Sequence, residues 1–144
     1  MVSLNQRKGG IMSSIPVDLR YTREHEWARL EEGGRVIVGI TDFAQSKLGD
    51  IVYLDLPGPG TAVSAGEPMG EVESTKSVSD LYSPMTGTVV ETNGDTGENP
   101  ALVNLDPYGE GWLVVVELTD RGEYDGLLTA EEYGRLLAEE SSEG

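Results

Sequence analysis

No cysteine occurs in the 144 residues, which removes disulfide frameworks, thiolate metal sites and cysteine nucleophiles together. Any sulfur redox chemistry must therefore arrive on a prosthetic group. Histidine occurs once, at His25, and positive charge is scarce: ten Lys and Arg stand against 26 Asp and Glu, a formal net charge of −16. Such an excess of carboxylate opposes phosphate backbones and anionic lipid, so neither nucleic acid nor membrane is an expected partner. Long apolar runs are missing as well. The longest, Trp112 to Val116, falls far short of a membrane span, and no apolar stretch follows Arg7 and Lys8 as a secretory signal requires. The chain reads as an intracellular monomer kept soluble and well separated by its charge.

The length suits one domain with a modest core. We expect that domain over residues 15–140, after a loose leader at 1–14 that is native or left over from cloning, and before a frayed tail at 141–144. Arg35 to Ile40, Ile51 to Leu56, Thr88 to Thr92 and Trp112 to Leu118 are rich in β-branched and aromatic residues and read as strands. Glu32-Gly33-Gly34, Pro57 to Gly60, Pro84 to Gly87 and Asn93-Gly94-Asp95 punctuate them as hairpins or corners. So many turns at short spacing argue for a small β sandwich or barrel.

Two helices interrupt this pattern. Thr41-Asp42 is placed to cap a short helix over Phe43 to Leu48, closed by Gly49. Thr129 to Glu132 has capping-box spacing, with Tyr133, Leu136 and Leu137 following on one helical face. There is also a faint internal echo: Gly66 to Val72 and Ser83 to Val89 are each a small-residue turn feeding a strand. It fits two halves related by a pseudo-two-fold with Lys76 near the axis, and it fits chance in a glycine-rich β protein equally well.

Lysine occurs three times, at Lys8, Lys47 and Lys76. Lys76 falls between two strand-like runs, in Ser74-Thr75-Lys76-Ser77, a turn with no Gly, Asn, Asp or Pro at its centre. An ordinary solvated lysine is one reading. An amine held open for acylation among small hydroxylated neighbours is the other. His25 lies in Glu24-His25-Glu26, but one imidazole beside carboxylates is not a closed ligand set, so no metal is expected, and His25 and Trp27 are read as packing or hydrogen-bonding residues. Nor does a phosphate-cradling glycine loop open a helix. A stand-alone enzyme is thereby disfavoured.

Tyr21 to Trp27, Val38 to Gln45, Leu48-Gly49-Asp50, Gly70 to Pro84, Leu102-Val103-Asn104, Pro107-Tyr108 and Gly111 to Leu113 together resemble the H-proteins of the glycine cleavage system, in family order and spacing. The resemblance implies a mainly β barrel-sandwich hybrid, with a short helix after the first strands and a C-terminal helix. It implies lipoate in amide linkage on Lys76. Glu-Ser-x-Lys differs from the Asp-Lys-Ala of 2-oxo acid dehydrogenase lipoyl domains and from the Met-Lys-Met of biotin carriers.

The implied function is that of a non-catalytic carrier, whose arm takes the aminomethyl group of glycine from the pyridoxal-phosphate P-protein to the tetrahydrofolate-dependent T-protein. Dihydrolipoamide dehydrogenase, the L-protein, reoxidises the arm, and a further enzyme attaches it. Glu26 and Asp80, and more weakly Glu24, are implied to line the cleft that receives the loaded arm, where carboxylates would hold its ammonium. The competing view of Glu26 is a surface carboxylate in a polar strand. For Lys47, where some members carry histidine, a role in contacting the arm is doubtful. An H-like protein that relays lipoate to other acceptors is the alternative. A bacterial cytoplasm is expected ahead of a mitochondrial matrix.

Overall fold

The computed structural model describes residues 14–143; the expected leader, apart from Ser14, lies outside the described residues. Two sheets form the body. The larger has six strands in the order β1 (Arg20–Tyr21), β2 (Glu26–Glu31), β3 (Arg35–Ile40), β9 (Val114–Leu118), β8 (Gly87–Thr92) and β5 (Ala62–Val63). The smaller has three, with β6 (Pro68–Ser74) between β4 (Ile51–Asp55) and β7 (Val78–Tyr82). All pairings are antiparallel. This is the expected mainly β, barrel-sandwich architecture.

Val38, Met85, Val89, Val114 and Val116 are buried in the core of the larger sheet. Ile51, Leu54, Val72 and Leu81 turn inward from the smaller one to meet Val103 and Leu113. A third cluster joins β1 and β2 to the C-terminal helix through Tyr21, Trp27 and Tyr133, with the two tyrosine rings stacked 4.6 Å apart.

The echo marks the two corners where the chain changes sheet. Gly66 N donates to Ser83 O at 2.8 Å and Ser83 N to Glu67 O at 2.9 Å, so the two corners lie against each other. Gly70 and Gly87 hold matching places in the two segments, and a Cβ on either would collide with a backbone carbonyl of the neighbouring strand, Asp55 O or Glu117 O. Only glycine permits that approach. Val72 and Val89, two residues further on, are both buried. These paired requirements favour the pseudo-two-fold over chance.

Helix α1 (Asp42–Leu48) starts at Thr41, whose hydroxyl accepts Ala44 N at 3.2 Å, and closes at Gly49, whose N–H reaches Gln45 O. The C-terminal helix, α5 (Ala130–Glu143), carries the reciprocal capping box: Thr129 N to Glu132 Oε1 at 2.9 Å and Glu132 N to Thr129 Oγ1 at 3.2 Å. Its backbone stays helical through Glu143, beyond the expected end of the domain.

Other boundaries differ from expectation. Asn93-Gly94-Asp95, expected as a hairpin or a corner, turns the chain out of β8 into a helix: Asn93 Oδ1 accepts Asp95 N and starts α2 (Gly94–Glu98). Two more short helices, α3 (Ala101–Leu105) and α4 (Gly122–Asp125), were not anticipated. The last strand begins at Val114 rather than Trp112, because Trp112 N–H is taken up by the preceding turn at Gly109 O.

Candidate functional site

Lys76 stands at the tip of the β6–β7 hairpin, and the backbone around it is heavily constrained. Ser74 N donates to Ser77 O at 2.8 Å. The nearly buried Ser74 hydroxyl then accepts both Lys76 N and Ser77 N, each at 3.2 Å. One serine side chain thus does the work that Gly, Asn or Asp performs in common turns. Thr75 N donates to Asp50 O at 3.0 Å, tying the tip to the loop between α1 and β4.

The lysine side chain itself is exposed, and among the described residues its ammonium makes no hydrogen bond or ion pair, although acidic groups outnumber basic ones. Its stem lies against Gly49, where a Cβ would sit 3.4 Å from Lys76 Cε.

Beside the hairpin runs a groove of about 200 Å³, lined by Glu24, His25, Phe43, Ala44, Lys47, Leu48, Ser79 and Glu140. It is apolar along α1 and acidic at Glu24 and Glu140. Its one cation, Lys47 Nζ, sits 5.6 Å above the Phe43 ring, an arrangement in which the ring face attracts the ammonium.

His25 forms part of the groove wall from a left-handed backbone (φ 75°), a conformation that is uncommon outside glycine. Its Nδ1 lies 2.8 Å from Tyr133 OH, its Nε2 lies 3.3 Å from Glu140 Oε1, and Tyr133 OH is also 2.8 Å from Thr41 Oγ1. Burial pushes the imidazole pKa down, against the opposing pull of Glu140. The neutral ring then accepts Tyr133 O–H at Nδ1 and donates Nε2–H to Glu140. The C-terminal helix is thereby locked to the groove.

Glu26 is not a surface carboxylate: it is 2% exposed. Its Oε1 accepts Thr22 Oγ1–H at 2.6 Å and its Oε2 accepts Tyr82 N at 3.2 Å. The second bond caps the outer edge of β7, joining the hairpin to β2. Burial lifts the Glu26 pKa to about 7, with these two hydrogen bonds opposing and Glu24 adding to the rise.

Asp80 is exposed on β7, its Oδ2 3.5 Å from Tyr82 OH. Of the four residues singled out in the sequence, Glu24 alone lines the groove; Glu26 is buried against Thr22 and Tyr82 N, Asp80 is exposed on β7 next to Ser79, and Lys76 stands at the hairpin tip. Glu24, Glu26 and Asp80 converge electrostatically on the Tyr82 phenol, whose pKa all three raise, Asp80 most.

Sequence reasoning missed Phe43, Ser79, Tyr82 and Glu140 as site residues. Glu140 carried no local signal, since only the folded C-terminal helix brings it to His25. Among the described residues no three His, Asp or Glu side chains are grouped to hold a metal, and no helix is long and apolar enough to cross a membrane.

Known proteins resemble the chain along most of its length. The family model described as Glycine cleavage H-protein matches residues 19–140. The chain is 56% identical to the glycine cleavage system H protein of Rubrobacter xylanophilus over 129 residues, covering 90% of this chain and 99% of the relative. It is 54% identical to that of Carboxydothermus hydrogenoformans, also over 129 residues, covering 90% and 98%. A crystal structure of the H protein from Mycobacterium marinum superposes with a TM-score of 0.80 at 48% identity, covering 86% of this chain and 99% of that one. A family model matched over residues 19–140, and relatives more than half identical along almost their whole length, show that the chain belongs to the glycine cleavage H-protein family.

Proposed function

We propose that the chain is a lipoylated carrier without turnover of its own, which moves the aminomethyl group of glycine between the decarboxylating and methylene-transferring enzymes of the system. The observation that supports it most is the Lys76 tip: a backbone held by Ser74 and Asp50, with an amine left free. Such an amine suits amide formation with the lipoyl carboxyl, because an attaching enzyme meets a defined backbone and no ion pair to break. Once attached, the dithiolane supplies the thiol–disulfide chemistry that a cysteine-free chain lacks.

The protein's own contribution is to tether, orient and shelter. Phe43, Ala44 and Leu48 offer apolar contact to the hydrocarbon of an arm rooted at Lys76, next to Gly49. Glu24 and Glu140 offer carboxylates to an ammonium at the acidic side, with Asp80, exposed on β7 next to Ser79, and the buried Glu26 proposed as further lining. A protonated cargo amine meets more carboxylate than cation there, and sheltering it slows its loss to water. This groove favours the shuttle over a lipoate relay, which has no cargo amine to hold. The partners are then the P-, T- and L-proteins and the enzyme that attaches the arm, in a bacterial cytoplasm. A tethered arm reaches each partner's site at high effective concentration.

The experiment is the intact mass and peptide map of the protein from a lipoate-competent host. We expect one lipoyl group, on Lys76. Modification at Lys47 instead overturns the assignment.

A further inference from the structure

The backbone that holds Lys76 is itself held from outside the hairpin. Asn104, on α3, makes three side-chain hydrogen bonds: to α1, to the loop that follows it, and to the first residue of β4. Its Nδ2 donates to Gln45 Oε1 and to Gly49 O, each at 2.9 Å, and its Oδ1 accepts Ile51 N at 2.9 Å. Asp50 thus lies between two residues pinned by one amide. Its own carbonyl points the other way and receives Thr75 N from the hairpin tip at 3.0 Å. Gly49, in a left-handed conformation at φ 84°, forms the surface against which the Lys76 stem lies.

We propose that Asn104 is a positioning residue for Lys76: acting through the Gly49–Asp50–Ile51 loop, it fixes the direction in which the hairpin presents its lysine to the enzyme that acylates it. This rests on the reading that Lys76 is the attachment point. Without the Asn104 amide, Gly49 O and Ile51 N lose their partners and must turn to water or to each other. The Asp50 carbonyl is then held only by the end of the β4–β6 ladder, where Ile51 pairs with Ser74, and its hydrogen bond from Thr75 N loosens. The strand ladder between β6 and β7 does not depend on Asn104. The tip loosens while the hairpin stays paired. An acylating enzyme requires the nucleophile to arrive in a narrow geometry, and a displacement of about 1 Å set up far from the chemistry costs up to roughly a hundredfold in rate.

The test compares the full chain with Asn104→Ala, with Asn104→Asp, which keeps the shape and the acceptor for Ile51 N but removes both donations, with Gly49→Ala, and with Asn104→Ala/Gly49→Ala. Each is titrated as acceptor with a purified lipoate–protein ligase, lipoate and ATP, rates being read by intact mass and the label located by peptide mapping. We expect kcat/KM to fall about tenfold or more in both Asn104 variants, with the label still on Lys76. Thr75 amide exchange should accelerate, while the Val72 and Leu81 amides keep wild-type protection. The double variant should lose no more than the worse single one, because both act on one loop.

Wild-type acceptor kinetics in either Asn104 variant overturn the proposal, as do additive losses in the double variant or a uniform rise in exchange across the hairpin. A wild-type protein labelled elsewhere than Lys76 defeats the underlying reading instead, and peptide mapping separates the two failures.

Discussion

The hairpin tip and the neighbouring groove are built by opposite rules. At the tip the backbone is fixed, by Ser74 Oγ and Asp50 O, and the Lys76 side chain is free. At the groove the side chains are fixed to one another: Thr41, Tyr133, His25 and Glu140 form one hydrogen-bonded chain, and Glu26 is buried with both oxygens engaged. A free side chain on a rigid turn is a group to be modified by someone else's active site. Locked side chains around an open groove are a receptor, whose geometry has to exist before its ligand arrives. On the proposed function, the molecule is a substrate at one end of the site and a host at the other.

Removing the free amine should have the largest effect. Lys76→Arg keeps the charge on an exposed residue, so thermal unfolding should be unchanged, while lipoylation and glycine-dependent reduction of dihydrolipoamide dehydrogenase in the reconstituted system should fall to background. Surviving reduction would break the contrast by showing that the tip is not the modified end.

The next effect lies at the host end. Burial raises the Glu26 pKa to about 7 in the folded state, against an ordinary value of about 4.5 in the unfolded chain. Between those values the native state holds the proton more tightly than the unfolded one, so this group's contribution to stability is fully present below about pH 4.5 and is lost as pH rises through 7. The span corresponds to about 3 kcal/mol. Glu26→Gln, which can accept from Tyr82 N and donate to Thr22 Oγ1, should remove that component. Urea unfolding at pH 5 and pH 8 checks it: wild-type stability should drop across the interval and the variant's should drop less. The lifetime of the aminomethyl-loaded form should shorten in the same variant, and an unchanged lifetime would leave Glu26 a purely structural carboxyl.

The same contrast explains what was legible in the sequence. Features with local causes were readable: the Thr41 cap, the Gly49 closure, the Thr129–Glu132 capping box and the hairpin around Lys76 are each written within a few residues. β2 was not recognised, because it is covered on both faces, Trp27 packing towards the C-terminal helix and Ala28 into the sheet core, and a strand buried on both sides loses its alternation. α2 and α4 were hidden by Gly-Asp and Gly-Glu composition that suits turns equally well, and α3, five residues long, is too short to show a helical period. At the site, the place of Lys76 on a hairpin was legible from its local run, while its proposed role rests on the family resemblance. The groove is made across long sequence separations, and Glu140 meets His25 only after α5 has docked, so no local pattern reports it. The burial of Glu26 was likewise invisible in a Glu-His-Glu run, which looks solvated.

Ser74→Ala isolates the tip's backbone order from its lysine. The substitution leaves Lys76 N and Ser77 N without their shared acceptor at a site where the serine is almost buried, at a cost of about 1 kcal/mol. Its fingerprint should be local: faster amide exchange at Lys76 and Ser77, and slower lipoylation, with the groove's His25 titration by NMR left where it was. A shifted His25 titration would mean that tip and groove are one cooperative unit and not two.

The smallest expected effect concerns the exposed outer face of the hairpin sheet. Asp55, Glu71 and Asp80 lie side by side across β4, β6 and β7, all exposed, and like charges directly opposite one another destabilise a sheet. Glu71, in the middle, has a carboxylate on either side. Glu71→Gln should therefore stabilise the protein by about 0.5 kcal/mol at low ionic strength, and the gain should shrink in molar salt, where exposed charges are screened within about 3 Å. Since the whole chain is strongly acidic, any lost carboxylate relieves some general repulsion. Glu67→Gln, on an exposed turn outside the three-carboxylate row, supplies that baseline. If Glu71→Gln gains more than Glu67→Gln and the difference vanishes with salt, the row repels locally, and the hairpin tolerates a strained outer face while its tip and edge are held by neutral hydrogen bonds. Equal gains would assign the effect to net charge alone, leaving the stability of the hairpin to the contacts of Ser74, Asp50 and Glu26.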